Sequence, residues 1–110
     1  MANTFKNAVT ASIGTSSVDV YTAPASITTT VIGATVSNRT ASAIAVDVTV
    51  TDTSAGTTAY LVKSVPVPVG SSVVVIGGEQ KTVLETGDKI TVVSDTASSA
   101  DAIISVLEQS

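Results

Sequence analysis

The chain has 110 residues, no cysteine and no histidine, and its five basic and nine acidic residues give a net charge of −4. This length fits a single domain with one core, and the lack of cysteine excludes disulfides, thiolate metal sites and cysteine catalysis. Aromatic residues make up only 3% and charged residues only 13%, which argues against a base-stacking platform or a basic track for nucleic acid.

The residue types that remain point to one fold class. The apolar residues are mainly Val, Ala and Ile, and the polar residues are largely Thr and Ser. Val, Ile and Thr are stiff at χ1 and suit the pleated surface of a sheet. The composition therefore predicts an all-β protein with a neutral, hydroxyl-rich exterior.

Residues 1–16 are the least organised part of the sequence. Alternation is weak here, and the turn-like residues 14–16 end it. We predict either an edge strand or an N-terminal arm that docks on a neighbouring subunit, followed by a β-domain over residues 17–110. Contacts of such an arm would come from Phe5, its anchor, together with Val9 and Ile13.

Two strands are predicted next. Residues 18–21 alternate cleanly, and Pro24 ends that run. In the following strand the two-residue period places one set of side chains on a single face: Thr30, Ile32, Ala34 and Val36. Residues 38–40 are turn-like. They also match the Asn-x-Thr glycosylation pattern, which we interpret as a chance match.

The clearest strand follows these residues. Its apolar positions face one way, and polar or small positions face the other, as in an antiparallel sheet with one solvated face. The apolar set is Ile44, Val46, Val48 and Val50. The turn cluster at residues 52–56 then predicts a hairpin with the next strand.

The segment VPVPVGSSVVVIGG spans residues 65–78. Proline cannot donate to a strand ladder, so Pro66 and Pro68 predict a sheet edge or a crossover between sheets. The continuous apolar run at residues 73–76 predicts a strand covered on both faces, by its own core and by something else. Pro66, Pro68, Val73 and Val75 are therefore candidate assembly contacts.

Residues 81–95 predict two short strands with a tight turn at Gly87 and Asp88. A final strand places Ile103, Ser105 and Leu107 on one face and Ile104, Val106 and Glu108 on the other. About eight short strands joined by turns predict an antiparallel β-sandwich, jelly-roll-like or Ig-like, with a small barrel as the alternative.

Reactive chemistry is not expected. Serine catalysis needs a partner base, and no such motif is evident, so we expect no enzyme and no cofactor. The carboxylates lie mostly beside turns, where they serve turn geometry and solubility. Calcium is a minor alternative at Asp95 with Asp101 or at Asp47 with Asp52, without EF-hand spacing. A targeting leader or membrane anchor is also not expected.

Several turn motifs carry a resemblance to a known family. They are Tyr-Thr-x-Pro-Ala at residues 21–25, Ser37-Asn38, PVPVGSS at 66–72, KTVLETGDKI at 81–90 and SVLE at 105–108. Over residues 17–110 the chain resembles small virion proteins of tailed phages, especially of marine cyanophages. This resemblance implies a β-sandwich that decorates or cements a capsid, and a homotrimer at threefold positions of the shell.

The expected function is therefore a capsid cement or decoration protein located on the virion and made in the host cytoplasm. Its expected partners are copies of itself and the major capsid protein or other virion proteins, with no nucleic acid and no membrane. A neck, baseplate or tail-fibre adaptor is the first alternative. A glycan-binding host-attachment module is the second, although the scarcity of aromatic residues counts against it.

Overall fold

The computed structural model describes residues 3–77 and 80–110, and in that part of the chain no helix is long and apolar enough to cross a membrane. Its secondary structure consists of β-strands. The described residues form nine of them: β1 (Asn3–Ile13), β2 (Val18–Thr22), β3 (Thr28–Asn38), β4 (Ile44–Asp52), β5 (Thr57–Val67), β6 (Ser72–Ile76), β7 (Thr82–Leu84), β8 (Lys89–Ser94) and β9 (Ala100–Gln109).

The strands form two antiparallel sheets. The first sheet has the order β1-β9-β3-β6, and β7 also pairs with β3; the second sheet has the order β2-β8-β4-β5. This arrangement confirms the all-β antiparallel sandwich, with nine strands where about eight were predicted. The β4–β5 hairpin is confirmed as well. The turn at Gly87 (φ +84°) does not close a hairpin. It leads the chain from one sheet to the other, because β7 and β8 belong to different sheets.

The core lies between the sheets and is built by side chains that alternate along each strand. On β4, Ile44, Val46 and Val48 are buried, and Val50 is half-buried, as their period predicted. On β9, Ile104 is buried while the neighbouring Ile103 is exposed. Each fully buried side chain of this kind contributes about 1.5–3 kcal/mol relative to an exposed one, so the aliphatic core stabilises the sandwich without aromatic residues.

The predicted face of β3 is wrong in its first half. Buried side chains there are Val31, then Ala34 and Val36, whereas Ile32 is only half-buried. The reason is a shift in the pairing of β3 with β9 between Val31 and Gly33. Such a bulge inserts one residue and exchanges the two faces of the strand beyond it.

The two prolines lie where the sequence predicted. Pro66 lies on β5, an edge strand of the second sheet, and is exposed together with Pro68. Between them, Val67 is fully buried. The chain then turns at Gly70 (φ +68°) and enters the first sheet as β6. The segment is thus both a sheet edge and a crossover.

The prediction for β6 is confirmed for the face that packs on the core, and the cover of its other face by something else stays a prediction. Ile76 is buried, but Val74 is 66% exposed, and Val73 and Val75 are half-buried. β6 is an edge strand of the first sheet, so the second sheet covers one of its faces and nothing within the described chain covers the other.

Residues Asn3–Ile13 form β1, the opposite edge of the first sheet, and pair with β9. Ile13 is 1% exposed and belongs to the core, so its predicted role as an assembly contact is wrong. Before it, Ser12 adopts a φ of +59° at a shift in the pairing. Asp101 accepts a hydrogen bond from the Ser12 amide at 3.0 Å, and Arg39 donates to the Ser12 hydroxyl at 2.6 Å.

Candidate functional site

The outer face of the first sheet carries two rows of side chains that cross four strands each. Directly opposed residues of antiparallel strands project from the same face, so the registers define the rows. The first row is Phe5, Leu107, Thr30 and Val83, on β1, β9, β3 and β7. The second row is Val9, Ile103, Thr35 and Val74, on β1, β9, β3 and β6.

Six of the eight side chains in these two rows are apolar, and the other two are Thr30 and Thr35; we call the two rows the apolar rows. Five of the eight side chains are large hydrophobic groups between 50% and 74% exposed, and none of the eight carries a charge. Isolated exposed apolar residues are common in proteins, whereas several of them grouped on one sheet face favour an interaction surface. The five are Phe5, Val9, Val74, Val83 and Ile103.

A shallow depression of about 300 Å³ lies beside these rows, and Phe5, Asn7, Ile32 and Ser105 are among its lining residues. Amide, hydroxyl and aliphatic groups line it, and its one ionisable side chain is Lys6. This composition suits packing against another protein surface better than acid–base chemistry.

The predicted contact residues are divided between two sides of the sandwich. Phe5 and Val9 lie on β1, and both are exposed. Pro66 lies on β5, which contacts β6 at the side opposite β1. The structure therefore groups Phe5 and Val9 with Ile103 and not with Pro66 or Pro68. Half-buried Val73 and Val75 lie on β6 with the exposed Val74.

Sequence reasoning missed Ile103, Val74 and Val83 as surface residues. Ile103 faces outward beside the buried Ile104, and this pair was a usable signal, because adjacent residues of a strand face opposite sides and only one of two neighbouring isoleucines can face the core. Val74 and Val83 carried no such signal, since each lies in a short strand without clear alternation.

A polar cluster connects the two sheets near β1. The Tyr21 hydroxyl donates to Glu108 at 2.6 Å and lies 2.8 Å from the Thr29 hydroxyl, while Lys6 forms an ion pair of 3.2 Å with Glu108. Burial and the hydrogen bond to Glu108 raise the pKa of Tyr21 to about 12. The Tyr21 hydrogen bond and Lys6 lower the pKa of Glu108, against the opposing effect of its burial. This cluster positions β1 and is structural.

The second sheet has an open groove of about 330 Å³ on its outer face. Hydroxyl groups dominate its lining, together with Tyr60, Asp19 and Lys89. Asp19 accepts a hydrogen bond from Thr91 at 2.9 Å and pairs with Lys89 at 3.4 Å. Tyr60 is 54% exposed, and Lys63 lies over its ring at 4.8 Å. The groove could accept a polar ligand through hydroxyl groups and one aromatic ring.

The carboxylates proposed as calcium ligands are held by turn and strand groups. Asp95 accepts from the amide of Ala45 at 3.1 Å, and Asp47 accepts from the amide of Ser64 at 2.6 Å. Asp101 pairs with Arg39 at 3.2 Å. Backbone and hydroxyl hydrogen bonds lower the pKa of Asp95, as they do for Asp52 in its own turn. Asp95 lies in a turn as predicted, whereas Asp47 on β4 and Asp101 on β9 bind neighbouring segments from within strands.

One acidic group that the sequence did not reveal contains Asp52, Glu85 and Asp88, whose oxygens approach within 4.8 Å of one another. Asp88 is buried and accepts hydrogen bonds from the Thr53 amide at 3.1 Å and the Glu85 amide at 3.0 Å. Its carboxylate thus connects the β4–β5 turn to the segment before β8, which accounts for its burial.

Asn38 is buried at the end of β3. Its side-chain nitrogen donates to the carbonyls of Ser42 at 2.7 Å and Val67 at 3.0 Å, and its oxygen accepts from Thr40. The amide that glycosylation would require is therefore occupied and inaccessible. This geometry agrees with the interpretation of the Asn-x-Thr match as chance.

The comparisons with known proteins concern the fold. No family model matches the chain, and no curated protein matches it. A solved structure described as "Bacillus endospore appendages form a novel family of disulfide-linked pili" is similar, with a TM-score of 0.56 and 14% sequence identity. The likeness covers 98% of this chain and 88% of that chain. It shows a shared sandwich fold.

Proposed function

We propose that the chain is a non-enzymatic structural subunit of a larger particle. The observation that carries this proposal is the pair of exposed apolar rows on the outer face of the first sheet, from Phe5 to Val83 and from Val9 to Val74. Apolar side chains aligned across several strands gain free energy when a partner removes them from water, at roughly 25 cal/mol per Å². Such a surface is suited to permanent assembly.

The specific form that we propose is a capsid decoration or cement protein. The resemblance of residues 17–110 to small virion proteins supports it, and so do the uncharged apolar rows, which can pack against a shell or a neighbouring copy. The virion is then the proposed location, and the major capsid protein is the proposed partner. A neck, baseplate or tail-fibre adaptor would use the same face in fewer copies.

The side-chain chemistry supports a role without catalysis. The chain has no histidine or cysteine to act as base or nucleophile. Asp88 and Asp95 accept hydrogen bonds from backbone amides, and Asp101 pairs with Arg39. Perturbed groups aimed into an enclosed cleft would instead favour an enzyme.

The similar solved structure supports the proposal at the level of fold. Its description places that protein in disulfide-linked pili. The present chain has no cysteine, so any assembly that it forms is not linked by disulfides. Exposed apolar rows and sheet edges are the means that a cysteine-free subunit has available.

Glycan binding is a second candidate, and the groove of the second sheet is the observation that favours it. Tyr60 offers a ring for stacking, and Asp19, Thr49 and Thr91 offer hydrogen-bonding groups. A glycan array with the wild type and Tyr60→Ala tests this candidate. Binding that Tyr60→Ala abolishes would support it, and absence of binding to every glycan would remove it.

Quantitative mass spectrometry of purified particles tests the main proposal. The copy number of this chain is measured relative to the major shell protein. Decoration predicts a ratio between one to one and one to a few. A few copies per hundred would place the protein in a tail or neck and contradict decoration. Absence from the particles would contradict the virion role.

A further inference from the structure

We propose that two copies of the chain associate through their β1 strands, which pair antiparallel across a twofold axis at Asn7. The inference deepens the proposed function and rests on it, since it names a second copy as the partner of β1. Two features of β1 support this pairing: its regular edge and the order of the side chains along the strand. The threefold symmetry expected above rests on the resemblance, whereas β1 itself supports a twofold.

The free edge of β1 is regular and open. From Asn3 to Thr10 the strand pairs with β9 without a shift, and it contains no proline. Proteins usually protect such an edge with charge, proline or a bulge. Lys6 is the charged residue of β1, and the ion pair with the buried Glu108 at 3.2 Å compensates its charge. An edge in this condition can accept another strand.

The other long edge strand is interrupted along its middle, whereas the irregularity of β1 at Ser12 lies near the end of that strand. β5 carries Pro66, and Lys63 adds a charge to the same edge strand. Ser64 adopts a φ of +51° where the β4–β5 register shifts. The Ser64 amide is also occupied by Asp47 at 2.6 Å. The remaining edges are short, with five residues in β2, five in β6 and three in β7. Strand addition therefore favours β1.

The side chains of β1 are self-complementary about Asn7. Phe5 and Val9 project from the outer face, each two residues from Asn7. Antiparallel pairing centred on Asn7 places Phe5 opposite Val9 of the second copy, and Val9 opposite its Phe5. Aromatic and β-branched residues form favourable cross-strand pairs, as do two threonines. The same register pairs Thr4 with Thr10 of the second copy.

Neighbouring registers are less favourable. A centre at Lys6 opposes two lysines across the axis, and like charges directly opposite one another are destabilising. A centre at Ala8 places Val9 opposite the polar side chain of Asn7 in the second copy, and it places Phe5 opposite Ala11. Of these three centres, only Asn7 places each Phe5 opposite a Val9 of the other copy, so that this pair forms twice. The same centre places Lys6 opposite Ala8.

This pairing also continues the exposed rows from one copy to the other. The row that contains Leu107 and Phe5 would run on through Val9 and Ile103 of the second copy. Each apolar row is then extended over both first sheets, and the twofold symmetry makes the contact isologous and closed. The outer faces of the two copies remain free for a shell or another partner.

A cysteine scan tests the pairing, since the chain is free of cysteine. Asn7→Cys places two thiols opposite each other at the axis, where opposed Cβ atoms are close enough for a disulfide after a small shift. Ser105→Cys is the matched control, because Ser105 is exposed and lies opposite Asn7 on β9, one strand further from the axis. Under mild oxidation Asn7→Cys is expected to become a covalent dimer, and Ser105→Cys is expected to stay monomeric.

Equal cross-linking of the two variants would overturn the inference, because it would show face-to-face packing or random collision. Faster cross-linking of Lys6→Cys than of Asn7→Cys would overturn the register. Sedimentation velocity of the wild type gives a second measurement, with an expected species of twice the 10.9 kDa chain mass. A monomer at every concentration, or a trimer, would contradict the twofold even if particles contain the protein. The proposed function would then survive without it.

Discussion

Tyr21 on β2 donates a hydrogen bond of 2.6 Å to Glu108 on β9 and so connects the two sheets. Glu108 also holds Lys6 of β1 at 3.2 Å. Since Glu108 is 7% exposed, its charge depends on these two partners. The cluster thus fixes the position of β1, the strand that begins both exposed apolar rows.

This cluster predicts a loss of stability at both ends of the pH range. The pKa of Glu108 is lowered from 4.5 by folding, so its contribution is fully present above that value and is lost as pH falls through the folded pKa. The pKa of Tyr21 is raised from 10.0 to about 12. Its contribution is fully present below pH 10 and is lost as pH rises toward 12. Urea unfolding across pH measures both effects.

Two variants isolate the groups involved. Glu108→Gln should be less stable at neutral pH and should show a smaller acid loss than the wild type. Asp52 and Asp95, whose pKa values are also lowered, still contribute to the acid loss in both proteins. Tyr21→Phe should remove the loss between pH 10 and 12. An unchanged alkaline profile in Tyr21→Phe would contradict the assigned role of the hydroxyl.

Asp88 should be important for stability. Asp88→Ala leaves the partly buried amide hydrogen bonds of Thr53 and Glu85 without their acceptor, and we expect a cost of about 1–2 kcal/mol in the free energy of unfolding. Glu85→Ala is the control, since Glu85 is an exposed member of the same acidic group. It should cost less than about 0.5 kcal/mol.

Calcium provides a further check on Asp88. If its carboxylate serves only the turns, Ca²⁺ should leave the thermal unfolding midpoint of the wild type unchanged. A midpoint that rises with Ca²⁺ in the wild type, but not in Asp88→Asn, would contradict that assignment.

Asn38→Asp should destabilise the fold strongly. The new carboxylate would face the carbonyl oxygens of Ser42 and Val67, to which the amide of Asn38 now donates. We expect a cost of about 2–3 kcal/mol, measured by urea unfolding. Gln80→Glu makes the same chemical change at an exposed loop position and should be nearly neutral. Equal costs in the two variants would contradict the importance of the buried hydrogen bonds.

Local periodicity predicted much of the fold. The alternation on β4 identified Ile44 and Val46 as core residues, and the two prolines identified the edge and crossover. The alternation on β9 separated its two faces without showing which of them is buried. The bulge at Gly33 was not predictable from alternation, because it arises where β3 meets β9. Nor could the sequence show that β7 and β8 join different sheets.

The candidate surface was predictable only in part. Phe5 and Val9 stood out within β1, but their alignment with Leu107 and Ile103 depends on the register of β1 with β9. Val74 joins the same face because β6 pairs with β3, a contact between residues distant in sequence. The apolar run of β6 predicted burial on both faces, whereas the chain supplies a cover for one.

If the outer face of the first sheet is the assembly surface, a charge in its apolar rows should prevent incorporation of the protein into particles. Val74→Lys places a charge in the second apolar row, while Val69→Lys makes the same change at a 55% exposed residue that lies outside both rows. Both substitutions are on the surface and should change folding stability by no more than about 0.5 kcal/mol. We expect Val74→Lys to be lost from particles and Val69→Lys to be retained at the wild-type level. Retention of both variants, or loss of Val69→Lys alone, would contradict the assignment of this face.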